Sequence, residues 1–106
     1  MGGGVKPFDI YHADFHWRTR NYPGFFLLIR KEGTDWLCCA IASNDDRGEA
    51  FELNKLDSDF DATGLKHTSY LYDGDPLARI AVEKFGTRTG ELQGELLKKF
   101  REESGY

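Results

Sequence analysis

Only two cysteines occur among the 106 residues, and they are adjacent, Cys38-Cys39. Neighbouring side chains of a strand point to opposite faces, so the two are badly placed to bond to each other. A disulfide framework is excluded, and two packed, reduced thiols of a cytoplasmic protein are expected. A zinc site needs more ligands than this neighbourhood offers. No apolar run approaches the ~18 residues of a membrane-spanning helix. The N-terminus lacks the apolar stretch of roughly 7–15 residues that marks a secretory signal. An excess of positive charge is missing too, since the formal charge is −4. That excludes a globally basic nucleic-acid binder but leaves room for a local basic patch.

What is present suits one folded domain. With 40% hydrophobic and 14% aromatic residues, the chain is too apolar for a disordered tail. Its length allows a real core. Residues 1–6, opening with Met1-Gly2-Gly3-Gly4, read as a disordered N-terminus or a cloning remnant, and residues 7–106 as a single domain. Charge is unevenly spread. Up to Lys31 there are five bases against two acids; from Glu32 to Asp75, eleven acids face Arg47, Lys55 and Lys66. From Pro76 onward, six bases face five acids. The acidic middle suits a basic partner chain.

Period-2 patterning dominates the first two thirds. Phe8-Asp9-Ile10-Tyr11-His12-Ala13-Asp14-Phe15 reads as a strand with Phe8, Ile10 and His12 on one face and Tyr11 and Phe15 near the other. Phe25–Ile29 and Trp36–Ala42 read as two strands of a hairpin, joined by a turn within Lys31–Asp35. Ala50–Leu53 and Thr68–Tyr72 are further short strands, separated by a polar, Asp-rich loop from Lys55 to Lys66. Ala78–Phe85 reads as a strand stopped at Gly86. The C-terminus is helical: Thr89 caps, Glu91 sits near the start, and Leu92, Leu96 and Phe100, with Leu97, form an apolar stripe. Lys98, Lys99 and Arg101 end it, where the macrodipole favours cations. Five or six strands followed by one helix predict a mainly β, α+β fold: a small bent sheet or barrel with the helix packed on it.

This order of parts resembles the MazF/PemK toxins of type II toxin–antitoxin modules, which are small SH3-like barrels. The family opens with a strand of the form Gly-Asp-Ile-x-x-x-Asp-Phe, and Phe8 to Phe15 fits apart from its first residue. Tyr22-Pro23-Gly24 before Phe25–Ile29 stands where the family has Arg-Pro and an apolar strand. Ile41-Ala42-Ser43 is similar to a strand ending in Thr-Ser. Gly64-Leu65, Ser69 and Gly86 look like the family's Gly-Leu, its Ser and the Gly ahead of its last helix. The resemblance implies a cytoplasmic, metal-independent endoribonuclease without cofactor. It cuts single-stranded RNA by attack of the ribose 2′-OH on the adjacent phosphate, leaving a cyclic phosphate. It also implies a homodimer and an antitoxin protein partner. Two departures touch the family's catalytic positions: Tyr22 replaces its arginine and Ala42 its threonine.

The residues still offer the chemistry. Such cleavage needs a proton acceptor, a proton donor and positive charge on the phosphorane. The segment His16-Trp17-Arg18-Thr19-Arg20-Asn21-Tyr22 supplies each type of group. His16, Arg20 and Ser43 are the candidate catalytic residues: a base or acid, a phosphate fork and a hydrogen-bond donor. Arg18, Trp17, Asn21, Tyr22 and Arg30 are candidate RNA contacts, with Trp17 and Tyr22 suited to stacking on unpaired bases. The rival readings are a solvated loop whose rings stiffen the barrel, or an inactive barrel that binds RNA or an antitoxin-like segment without cutting. His12, on a strand, reads as a hydrogen-bonded or half-buried residue rather than a catalytic one. The acidic run Asp57–Asp61 fails as a calcium loop, because Ala62 and Thr68 occupy the positions that require Gly and Glu.

Overall fold

The computed structural model describes residues 4–15, 24–45, 48, 50–74 and 77–106. Among them are seven strands: β1 (Asp9–Ala13), β2 (Gly24–Glu32), β3 (Asp35–Ala42), β4 (Phe51–Leu53), β5 (Ser69–Tyr72), β6 (Ala78–Ala81) and β7 (Phe85–Glu91). One helix, α1 (Gly94–Ser104), follows. The expected small β-rich, barrel-like fold with a C-terminal helix is what the chain forms. The sheet runs β4-β5-β3-β2-β1-β7, with all described pairings antiparallel. β3 is shared along its length: Asp35–Cys38 pair with β6, and Ala40–Ala42 with β5.

The β2–β3 hairpin is the backbone of the fold. Its last pair is Glu32 with Asp35, leaving Gly33-Thr34 as a two-residue turn. Gly33 has φ +66°, the left-handed value that the first position of a type II′ turn demands. β2 carries an extra residue between Leu28 and Arg30, and β7 slips register twice against β1. Such bulges bend and twist a sheet, which lets this one curl around a core.

Both faces of the hairpin are buried. Ile10, Leu27, Ile29, Cys39, Ile41 and Leu71 point inward and meet Leu92, Leu96 and Phe100. Phe26, Leu28, Trp36 and Cys38 point the other way, against Ala78 and Ile80 of β6. The adjacent thiols therefore part to opposite faces, as strand geometry predicts. Both are unpaired and buried. Burial pushes the Cys38 thiol up to about 12 and the Cys39 thiol up as well, the latter also by the charge of Asp73.

The helical stripe packs as expected: Phe100 is fully buried, edge-on to Phe51 at 5.4 Å. Truncating such a ring costs about 3–5 kcal/mol. The start of the helix is displaced, however. The expected strand over Ala78–Phe85 ends at Ala81, and after a 3-10 turn (Val82–Lys84) a second strand, β7, occupies Phe85–Glu91. Thr89 therefore caps nothing, and Gly86 lies within β7. Pairing with β1, Asp9 opposite Glu91, outweighs the local capping signals. Asp59 caps the helix instead, its carboxylate accepting the Glu95 and Leu96 N–H groups at 2.9 and 3.3 Å.

At the other end of the chain, contacts with the domain begin ahead of Pro7. Val5 packs on the outer cluster, and the Lys6 N–H donates to Asp9 at 3.1 Å. Asp9 is buried and paired with Arg88 at 3.1 Å, a hydrogen bond that holds the Arg88 guanidinium above its usual range. The Asp9–Arg88 pair ties β1 to β7.

Candidate functional site

Among the described residues, the inner core opens at the end where β2 begins and β3 finishes. A groove of about 400 Å³ opens there, within the range of small-ligand pockets. Its floor continues the inward-facing parity of the strands. Phe25 lies opposite Ile41 in the ladder, and both line the groove with Leu65. Ile41 is buried, but Phe25 lies past the core and is 37% exposed. Its ring is met edge-on by His12 across the β1–β2 pair, at 5.2 Å. A partly exposed aromatic ring on an apolar floor suits the flat face of a base.

One wall is the segment from Gly64 to Ser69, and it is pinned along its length. Gly64 has φ +74° and its backbone lies against Thr89 of β7 so closely that any Cβ would strike the Thr89 carbonyl. The buried Thr63 hydroxyl donates to the Phe60 carbonyl at 2.6 Å and accepts the Leu65 N–H at 3.1 Å. The Thr68 hydroxyl accepts the Lys55 N–H at 3.0 Å, and the Ser69 hydroxyl donates to the His67 carbonyl at 2.8 Å. Between these anchors the chain bends at Lys66 and His67, whose exposed side chains line the groove. Neither has an ion-pair or hydrogen-bond partner for its side chain among the described residues, and no carboxylate lines the groove among them.

Of the residues singled out from sequence, Ser43 lies in the opposite wall, exposed just after β3 ends, beside Ala42. Arg30 does not reach the groove. It stands roughly 17 Å along β2 from Phe25, with its Nε donating to Glu32 at 3.1 Å. His16, Trp17, Arg18, Arg20, Asn21 and Tyr22 lie outside the described residues, which resume at Gly24 in the groove lining. His12 is exposed rather than half-buried. Phe25, Lys66 and His67 are the groove residues that sequence reasoning passes over. Phe25 hides in an apolar run, and the other two follow Gly64-Leu65 with no spacing motif of their own.

The groove thus offers an apolar floor with one exposed ring, a hydroxyl on one wall, and an ammonium and an imidazole on the other. It fits a ligand that is anionic along one edge and aromatic along another. Among the described residues no group of three or more His, Cys, Asp or Glu side chains is arranged to hold a metal ion. No helix among them is long and apolar enough to cross a membrane. No protein-family model matches the chain, and no curated protein matches it in sequence.

Proposed function

We propose that this groove is a single-stranded RNA site, and that the protein is a metal-independent endoribonuclease of the MazF/PemK toxin kind. One observation carries the reading. Gly24-Phe25, Ala42-Ser43, Gly64-Leu65 and Ser69, four of the separate motifs on which the resemblance rests, meet around one groove, while Phe8–Phe15 and Gly86 lie outside its lining. Phe25 supplies a stacking face, and Ser43 a hydroxyl donor for phosphate. Arg20, in the segment joined to Gly24, is assigned a fork on the phosphate, and His16 the water that protonates the leaving oxygen. A toxin of this kind acts in the cytoplasm, pairs as a homodimer and is held in check by an antitoxin segment.

The test is incubation of the purified protein with end-labelled single-stranded RNA in the presence of chelator. Fragments ending in cyclic phosphate are expected, and Arg20→Ala and His16→Ala should abolish them without lowering the melting temperature. RNA left whole and unbound overturns the proposal. A second reading, binding without cutting, is favoured by Ala42: the groove wall carries a methyl where the resemblance expects a threonine hydroxyl. RNA retained but intact supports that reading.

A further inference from the structure

Lys66 and His67 sit in the acidic middle of the sequence, yet no acid among the described residues engages either of them. The nearest carboxylates on the N-terminal side are committed elsewhere or face solvent. Asp57 accepts the Asp59 N–H at 3.0 Å, and Asp59 accepts two N–H groups of the helix start. Asp61 is exposed and does not line the groove. Glu91, on the strand behind the wall, is bound to Lys6 and Arg88 at 3.3 and 3.2 Å. The backbone on both sides of the pair is fixed by the Thr63, Thr68 and Ser69 hydroxyls and by the Gly64 approach to Thr89. A cation and an imidazole are thus held at the mouth of an apolar groove on a pinned backbone, with their functional groups unspent.

We infer that Lys66 and His67 are the phosphodiester-handling pair of this groove, filling the roles left open by Tyr22 and Ala42. The inference rests on reading the groove as an RNA site. Lys66 places its ammonium on the non-bridging oxygens of the scissile phosphate, where negative charge grows as the phosphorane forms. His67 accepts the 2′-OH proton as the O2′–P bond forms. The P–O5′ bond breaks with its electron pair on O5′, which takes a proton from water. The hydroxide so produced is neutralised by the proton His67 holds. The products are a 2′,3′-cyclic phosphate and a 5′-hydroxyl, and the imidazole is regenerated.

The experiment compares the wild-type chain with Lys66→Ala and His67→Ala on two probes. One is a labelled single-stranded RNA oligonucleotide, and the other its uncleavable 2′-deoxy counterpart. Lys66→Ala is expected to weaken binding of the deoxy probe about tenfold and to reduce the log–log salt slope by about 0.7. His67→Ala is expected to bind within about threefold of wild type but to cut roughly a hundredfold more slowly, with partial rescue by added imidazole. Both side chains are exposed, so melting temperatures should hold; Lys66→Gln and His67→Asn serve as second variants if they do not. Variants that bind and cut like wild type overturn the inference and leave the RNA reading standing. A wild-type chain that neither binds nor cuts overturns both. A wild-type chain that binds without cutting removes the proton-transfer role of His67.

Discussion

Basic side chains stand at both ends of the β2–β3 hairpin in opposite circumstances. At the turn end, Arg30 donates to Glu32 at 3.1 Å, and Arg79 of β6 reaches Glu32 at 2.9 Å and Asp35 at 3.4 Å. At the groove end, Lys66 and His67 face no carboxylate among the described residues. The turn end uses its charges to stitch β6 onto β3, an exposed arrangement of little energetic weight. The groove end spends its hydrogen bonds on holding backbone in place and, among the described residues, leaves Lys66 and His67 without an acidic partner. On the proposed reading, the location of acids, more than the number of bases, decides which end receives a phosphate.

The comparison breaks most completely if the groove wall is pushed apart. Gly64→Ala places a methyl against the Thr89 carbonyl at a left-handed φ, and Gly90→Ala places one against Ala62 and Thr63. Overpacking against backbone adds to the cost of the left-handed conformation. For Gly64→Ala a loss of about 3 kcal/mol or more is expected in urea unfolding. RNA affinity should fall with it, while the Glu32–Arg79 contact at the far end persists. A loss below about 1 kcal/mol would mean that the wall is not held by this close approach.

A smaller effect comes from the same loop through the helix. Asp59→Ala removes the acceptor for two N–H groups at the start of α1, at a cost of about 1–2 kcal/mol. Asp59→Asn should recover much of it, because an amide oxygen also caps well. Equal losses for the two substitutions, measured by thermal unfolding, would assign Asp59 a role other than capping.

These contacts also mark how far the sequence is legible. The hairpin, the opposite facing of Cys38 and Cys39 and the Leu92–Leu96–Phe100 stripe follow from periods of two and 3.6, which are local. The strand at Phe85–Glu91 does not, because its warrant is pairing with β1 at the far end of the chain. Asp59 as a cap is equally hidden, since its helix begins some 35 residues later. In the groove, Ser43 is legible as the polar residue that ends an apolar strand. Lys66 and His67 become visible only once Gly64 is seen locked against Thr89. Arg30 carries the opposite lesson. Its pairing with Glu32 was available from spacing, because residues two apart on a strand share a face.

At the turn end the expected effects are modest, and that modesty is the point. Arg79→Ala removes both contacts of β6 to Glu32 and Asp35. It should lower the melting temperature by a few degrees at most and leave RNA binding unchanged. A drop in RNA affinity matching that of Lys66→Ala would erase the distinction between the two ends.

The smallest effect sharpens the contrast most directly. The Glu32 carboxyl is held below its ordinary value of 4.5, first by the hydrogen bond from Arg30, with Arg79 adding to it against a desolvation that pulls the other way. A lowered folded-state value means that the unfolded chain binds the proton more readily. The contribution of Glu32 to stability is therefore present above about pH 4.5 and is lost as the pH falls through the lowered value. A carbon-detected NMR titration of the Glu32 carboxyl should place its midpoint below 4.5. Arg30→Ala should return it further toward the ordinary value than Arg79→Ala does. Because the group is exposed, added salt should move it in the same direction. A wild-type midpoint at the ordinary value would mean that the acids at the turn are no more engaged than Lys66 and His67 are among the described residues of the groove.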